Sequence, residues 1–251
     1  MEPHVSRHFR RIVGLALFAA AVLTAQFATS TQAVEQDAAK TAQEPQRFDH
    51  LVRADFFAGF DGNQERFAKA MKLCEETLAK TPKHAEALVW HGAGLLTQGG
   101  QAFQKNDFPN GMGLWQRGLK EMSDAVALAP ENVAVLIPRG AVLLEASKHA
   151  QPEAHAKSLL ETAVNDYEKV LKIQQPYFDK IGTHARGELL IGLAEGWHRR
   201  GDLIKAKGYF ERLVKEAPGT DYATRAQAWL EKKTLPQNHS GQRSCTSCHA
   251  R

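Results

Sequence analysis

The sequence has few cysteines and almost no alternation of apolar and polar residues. Its three cysteines are Cys74, Cys245 and Cys248. A zinc site usually needs four ligands. Cys74 lies far from Cys245 and Cys248 in the sequence, so the small number of cysteines is evidence against a zinc site. Alternation is the pattern of a half-buried strand. Its near absence between residues 48 and 233 predicts a region without β-sheet.

Strong charge of one sign and recognisable catalytic arrangements are also missing. The formal net charge is +4 over 251 residues, which gives no reason to expect nucleic acid or a membrane surface as a partner. The chain has no Ser-His-Asp order, no paired carboxylates in a glycine-framed loop and no glycine-rich phosphate cradle. We therefore predict no enzyme active site. With 43% hydrophobic and 24% charged residues, the composition is typical of a globular chain with a sizeable core.

The N-terminus has the order of a secretory signal peptide. Basic residues precede a short apolar run, Ile12 to Leu23, and small and polar residues follow up to Ala33. We predict a signal peptide over residues 1–33 and export to the periplasm or beyond. The alternative is a retained membrane anchor, but such a span normally needs about 20 apolar residues. Residues 34–47 lack an apolar period and predict a flexible leader.

From residue 48 to residue 233 the apolar residues recur at steps of three and four, which predicts helices throughout. Two segments are similar to each other, one starting at Ala85 and the other at Val133. Each begins three residues after a proline and places a Leu, a Gly four residues later and a Leu three residues after that. The chain therefore contains an internal repeat.

This spacing resembles the tetratricopeptide repeat, a helix pair with small and bulky residues at fixed positions. The last copy fits best, at Leu190, Leu193, Ala194, Trp197, Ala206, Phe210, Leu213 and Pro218. The resemblance implies an all-α solenoid of about four helix pairs over residues 48–233. The segment from Asp221 to Lys233 is predicted to be the capping helix.

The chain departs from the family pattern at three places. More residues separate Leu95 from Gly118, and Leu143 from Ala163, than the pattern provides. Longer helices or a projecting loop would absorb them. Gly99-Gly100 and the segment 108–111 (Phe-Pro-Asn-Gly) have turn chemistry. Pro138 predicts that its helix begins near Ile137 or is bent.

An irregular tail over residues 234–251 follows, with a linker rich in Pro, Asn, Ser and Gly. It ends in Cys245-Thr246-Ser247-Cys248-His249. This C-x-x-C-H motif resembles the haem attachment site of c-type cytochromes. The resemblance implies one haem c per chain, bound by thioethers to Cys245 and Cys248, with His249 as an axial ligand of the iron. A simple disulfide and half of a zinc site remain as alternatives.

Only two residues follow His249, so no downstream methionine can be the second axial ligand. The candidates upstream are His239, His198, His184, His155, His149, His91, His84, His50, Met71, Met112 and Met122. His91 occupies a position that normally packs between helices, so we expect a core imidazole there. Cys74 also falls at a packing position and is predicted to be a buried thiol.

Repeat arrays of this type usually bind other proteins on a concave face lined by first helices. By resemblance that face would present Glu86, Val89, Ala93, Ala134, Ile137, Ala141, Glu188, Ile191, Glu195 and His198. We therefore expect an exported monohaem cytochrome that exchanges single electrons with a protein docked there. The alternative is a periplasmic scaffold whose C-terminal cysteines form a thiol pair. A third possibility is a five-coordinate haem that senses gas or acts as a weak peroxidase.

Overall fold

The computed structural model describes residues 47–234. The signal peptide, most of the leader and nearly all of the haem-binding tail were predicted for segments that lie outside the described residues. Between residues 47 and 234 the helices are α1 Phe48–Phe60, α2 Gln64–Lys80, α3 Ala85–Gln104, α4 Phe108–Leu128, α5 Val133–Ala146, α6 Glu153–Gln174, a 3-10 helix Gln175–Lys180, α7 Thr183–Arg199, α8 Leu203–Glu216 and α9 Asp221–Lys232.

The helices pack in consecutive pairs. α1 packs on α2, α3 on α4, α5 on α6 and α7 on α8, while α9 contacts both α7 and α8. The first helices of successive pairs also touch, α1 with α3, α3 with α5 and α5 with α7. This arrangement confirms the predicted all-α solenoid of four helix pairs and a capping helix. Each pair buries its apolar stripe against its neighbours because a lone pair could not cover it.

Short polar side chains begin most of the helices. The backbone N–H groups of a first helical turn have no partner within the helix, and a side chain just before the turn accepts from one of them. Asn63 Oδ1 accepts from Arg66 N at 3.1 Å, and Asp202 Oδ1 accepts from Lys205 N at 3.0 Å. The same capping is made by Asp107, Asn132 and Thr220. These residues therefore set where α2, α4, α5, α8 and α9 start.

The core runs through the middle of every pair. Phe56 of α1 stacks on Trp90 of α3 with ring centroids 5.3 Å apart, and Phe210 of α8 stacks on Trp229 of α9 at 4.4 Å. Cys74 has no exposed surface, and burial raises the pKa of its thiol to about 12. The predicted burial of the Cys74 thiol is thus confirmed.

The two glycine-containing segments predicted to be turns are helical instead. Gly99 and Gly100 lie inside α3, and residues 108–111 form the first turn of α4. The extra residues of this repeat lengthen both helices rather than forming a projecting loop. Gly99 faces the backbone of Gly111, where an added Cβ would lie 3.0 Å from the Gly111 carbonyl oxygen. The glycines therefore let two helices approach closely, a requirement the turn interpretation did not consider.

Pro138 is also accommodated without ending its helix. α5 begins at Val133, capped by Asn132, and continues through Pro138 to Ala146. Of the two predicted outcomes, a start near Ile137 is therefore wrong, and a bend at Pro138 stays a prediction. Proline removes one N–H donor from the backbone hydrogen bonds of a helix. The α5 helix continues past Pro138 because tertiary packing buries Val135 and Leu136 before it and Leu143 after it.

No helix between residues 47 and 234 combines the length and the apolar character needed to cross a membrane.

Candidate functional site

The predicted haem ligands Cys245, Cys248 and His249, and the nearby candidate His239, lie outside the described residues. Their assignment therefore stays a prediction. Among residues 47–234, no three histidine, cysteine, aspartate or glutamate side chains lie together as a metal-binding group.

Several of the proposed second axial ligands are already engaged in packing or hydrogen bonds. His91 is 2% exposed, and its Nδ1 lies 2.5 Å from Glu121 Oε2, which confirms the predicted core imidazole. His84 Nδ1 caps α3 by accepting from Ala87 N at 3.2 Å. Met71 and Met122 are buried. His91, Met71 and Met122 could not reach an iron without a rearrangement of the solenoid, and His84 would have to leave its capping position.

Two further histidines are paired with tryptophans. His155 Nε2 accepts from Trp115 Nε1 at 3.2 Å, and His198 Nδ1 accepts from Trp229 Nε1 at 3.1 Å. A neutral imidazole that accepts through one nitrogen carries its proton on the other. In both rings the second nitrogen is therefore an N–H group and has no lone pair for a metal unless the tautomer changes.

The remaining candidates keep surface access. The side chains of His50 and His149 are 49% and 78% exposed, and Met112 is 48% exposed. His184 is partly exposed, with its Nδ1 3.1 Å from the Tyr222 hydroxyl. Of the candidates in the described part of the chain, His50, His149 and Met112 are the most accessible to an external group.

The proposed concave binding face is not an open apolar surface. Val89 and Ala93 have no exposed area, and Ala134 and Ile191 are 4% and 6% exposed. The expectation that these four residues line a groove is therefore wrong, because the first helices of neighbouring pairs pack directly on one another. Glu86 also takes part in this packing, since its carboxylate accepts from Asp49 N at 3.2 Å and from Asn132 Nδ2 at 3.3 Å.

The other residues of that face are partly buried and polar contacts hold several of them. Glu195 of α7 forms an ion pair with Arg225 of α9, and His198 pairs with Trp229 as described above. Ile137, Ala141 and Glu188 are likewise half-buried. This side of the solenoid is thus stabilised by contacts between successive elements.

An open groove lies instead between the second helices α6 and α8. It has a volume of about 430 Å³ and is lined by Glu168, Trp197, Lys205, Gly208, Tyr209 and Arg212. A second hollow of about 490 Å³ meets it at Glu168 and is lined by Leu171, Lys172, Gln175 and Pro176. We call the two together the α6–α8 groove. Its α8 residues recur at steps of three and four, so one face of that helix forms a wall.

One carboxylate organises the floor of the α6–α8 groove. Glu168 Oε1 accepts from Trp197 Nε1 at 2.7 Å and from the Tyr209 hydroxyl at 3.0 Å. Burial, and secondarily the Glu168 charge, raise the pKa of Tyr209 well above its ordinary value. The phenol therefore stays protonated and can donate at all physiological pH values. The two aromatic rings are thus fixed by one acceptor.

Cations lie close to the Trp197 ring and to the ring of Phe178. The Lys205 ammonium lies 3.7 Å from the centroid of the Trp197 ring, and the Arg200 guanidinium lies 4.4 Å from it. Arg212 lies 5.1 Å from the ring of Phe178 and pairs with Glu216 at 2.9 Å. Cations over an aromatic face are attracted by its quadrupole. The groove therefore presents ordered positive charge beside aromatic surface.

Sequence reasoning missed this groove, although one signal was present. The repeat pattern assigns Trp197 only a packing role, and it does not single out Glu168 or Tyr209. The spacing of Lys205, Tyr209 and Arg212 places a cation, an aromatic ring and a second cation on one helix face. Which helix faces them could not be found without the tertiary structure.

His184 and His198 predict a pH-dependent stability. Burial lowers the pKa of both imidazoles; the charge of Arg53 lowers that of His184 further, and Glu195 opposes the shift at His198. Between the folded and unfolded pKa values the unfolded chain binds more protons, so the free energy of unfolding falls as the pH falls below about 6.5. We expect the melting temperature to decrease from pH 7.5 to pH 5.5, as measured by circular dichroism.

The matched variants for this prediction are His198→Gln and His149→Gln. Glutamine can accept from Trp229 but does not titrate, so His198→Gln should flatten the dependence of melting temperature on pH. His149 is 78% exposed, and its replacement should leave the slope unchanged. Equal slopes for the wild type and His198→Gln would contradict the assignment.

Comparison with known proteins adds one structural similarity. No family model matches the chain, and no curated protein matches it significantly. A solved structure of a thermophilic TPR protein from Thermus thermophilus is similar to it, with 17% sequence identity and a TM-score of 0.38, covering 73% of this chain and 98% of that one. The assignment to all-α helix-pair solenoids therefore rests on the helix packing described above.

Proposed function

We propose that this chain is an exported electron carrier with one covalent haem c on its C-terminal tail and a helix-pair solenoid that docks a partner protein. The observation that carries the proposal is the segment Cys245-Thr246-Ser247-Cys248-His249. Attachment of haem c needs two cysteine thiols separated by two residues and followed directly by a histidine, and this segment has that order. The bound haem would supply reversible one-electron chemistry.

The chain's own residues have separate tasks in this proposal. Cys245 and Cys248 form thioether bonds that keep the cofactor on the chain, and His249 provides a nitrogen ligand. Of the described side chains, His50, His149 and Met112 fit a second ligand best, since their coordinating atoms lie on exposed side chains. The N-terminal basic and apolar segment, proposed as a cleaved signal over residues 1–33, would deliver the chain to the compartment where haem is attached.

Intact-mass spectrometry of the full chain, produced with the haem attachment machinery, tests the proposal. We expect a mass equal to that of the polypeptide cleaved after about residue 33 plus one haem. The haem absorption should survive extraction with acidified acetone, because thioether bonds are covalent. A Cys245→Ala/Cys248→Ala variant should carry no covalent haem and keep the helical circular dichroism signal. A wild-type mass without haem would overturn the electron-carrier function.

A protein-binding scaffold is the second candidate, and the α6–α8 groove favours it. An ordered groove with exposed cations and aromatic rings is a feature of binding surfaces and does not depend on haem. If the double alanine variant binds its partner as the wild type does and the wild type carries no haem, the scaffold function replaces the electron carrier. The C-terminal cysteines would then be a thiol pair.

A further inference from the structure

The α6–α8 groove lies on the side of the solenoid formed by second helices, and it is lined by cations as well as aromatic rings. Four exposed or half-exposed cations lie in or beside it: Lys172, Arg200, Lys205 and Arg212. Glu168 is the carboxylate that lines it, and that carboxylate already accepts from Trp197 and Tyr209. Arg212 is also paired with Glu216 at 2.9 Å, and Lys205 Nζ lies 4.0 Å from Asp202 Oδ2, so the four cations exceed the three carboxylates around them by one positive charge.

Exposed apolar side chains border the same groove. Ile204, one turn before Gly208 on α8, is 86% exposed. Tyr177, directly after the groove residue Pro176, is 42% exposed. Large apolar side chains this exposed are a feature of interaction sites when they cluster beside polar groups. A ligand for this surface would carry an apolar side chain as well as negative charge.

Gly208 provides room for such a ligand. It lies in the interior of α8, and a Cβ added there would have no heavy atom within 4 Å. Glycine inside an exposed helix costs about 1 kcal/mol relative to alanine, and no close helix contact requires it at this position. Because Gly208 has no side chain, the groove is wider between Lys205 and Arg212.

From these observations we infer that the α6–α8 groove binds an acidic peptide segment of a partner protein, with carboxylates beside Lys205, Arg212 and Lys172 and an apolar side chain against Trp197 and Ile204. The inference refines the docking role in the proposed function by naming the surface and the chemistry of the partner. Charge complementarity of this kind mainly sets the association rate and the specificity of a complex.

Fluorescence anisotropy with the full-length protein tests this inference. The probe is a short fluorescein-labelled peptide of alternating glutamate and leucine, and its control has glutamine in place of every glutamate. We expect the acidic peptide to bind at least about tenfold more tightly at low salt, since each exposed charge pair contributes up to about 1 kcal/mol. The difference should shrink as salt screens the charges. Equal binding of the two peptides would overturn the inference.

Two substitutions at one position test the location. Gly208→Trp should fill the groove and weaken acidic-peptide binding by at least about tenfold, the equivalent of 1.4 kcal/mol. Gly208→Ala should keep the affinity within about twofold, because a methyl group leaves most of the volume free. A Cβ at this position would have no heavy atom within 4 Å, and the helical circular dichroism of both variants serves as the folding check. Equal affinities of the two variants would place binding elsewhere.

A charge reversal gives an independent test that does not fill the groove. Lys205→Glu puts an acidic residue at the third position of α8, after the cap Asp202, where it suits the helix N-terminus. We expect it to weaken acidic-peptide binding about fivefold or more. Lys83→Glu changes the charge equally on an exposed residue before α3 and should have less than about half that effect. Equal losses of affinity would indicate general electrostatic attraction and would overturn the assignment of binding to the α6–α8 groove.

The haem content of the same samples separates this inference from the proposed function. Protein that carries covalent haem but does not bind the acidic peptide would refute only the inference that the groove binds an acidic segment. Protein that binds the peptide but lacks haem would refute the electron carrier alone.

Discussion

We expect Arg139→Met to lower the free energy of unfolding by about 3–5 kcal/mol, the cost of leaving a buried charge without its partner. Arg139 of α5 donates from Nε to Asp166 Oδ2 at 2.7 Å and from Nη2 to Asp166 Oδ1 at 2.6 Å. The side chains of Arg139 and Asp166 are only 14% and 6% exposed. Urea unfolding followed by circular dichroism measures the loss.

The Asp166 carboxylate is the reason for so large an effect. Burial raises its pKa above the ordinary value even with Arg139 present, whose charge and hydrogen bonds act in the opposite direction, as does the charge of Lys169. Without Arg139 that pKa should rise further. The folded variant would then bind protons more readily than the unfolded chain, so its deficit relative to the wild type should shrink as the pH falls from 7.5 to 5.5.

The control is the double variant Arg139→Met/Asp166→Leu. Replacing a buried ion pair by apolar residues of similar volume is often neutral or stabilising, so the double variant should recover most of the loss. A double variant as unstable as Arg139→Met would show that the ion pair is not the cause. A deficit that does not change with pH would contradict the role given to the Asp166 carboxylate.

The second large effect is expected at Gly118, where α4 crosses α3. A Cβ on Gly118 would lie 2.6 Å from the Gly92 carbonyl oxygen and 2.3 Å from Leu96 Cδ1. The leucine can rotate, but the carbonyl belongs to the helix backbone. We expect Gly118→Ala to lower the free energy of unfolding by about 1–3 kcal/mol, because forced expansion of a packed contact exceeds the gain in helix propensity.

Gly113 is the matched control on the same helix. A Cβ on Gly113 would have no heavy atom within 4 Å, and alanine is favoured over glycine inside a helix by about 0.8–1.0 kcal/mol. Gly113→Ala should therefore raise the free energy of unfolding while Gly118→Ala lowers it. The same sign for both variants in urea unfolding would contradict the close approach of α3 and α4.

The two helices form one continuous contact through paired glycines. Gly92 faces Gly118, and two turns farther along α3 Gly99 faces Gly111. In the sequence, Gly99-Gly100 and the Phe-Pro-Asn-Gly segment starting at Phe108 favoured turns, since glycine and proline are the strongest turn residues. The same residues also suit a helix start and a close helix contact. Only the partner helix decides between these uses.

The proposed haem attachment motif and the α6–α8 groove differ in how far the sequence can predict them. The five residues from Cys245 to His249 are adjacent, so their chemistry can be predicted from the sequence without a fold. The α6–α8 groove combines Glu168, Trp197 and Lys205 from three different helices. No short motif joins them, and the concave face predicted by resemblance was partly wrong because Val89 and Ile191 are buried between first helices.

The sequence by itself determined the helix pairs, the repeat, the capping helix and the buried Cys74, because apolar spacing and capping residues act over a few positions along the chain. The tertiary structure alone decided which glycines are helix contacts, which face is closed and which cations converge on Trp197. Those features depend on distances between helices, and such distances result from the summed packing of many side chains that are far apart in the sequence.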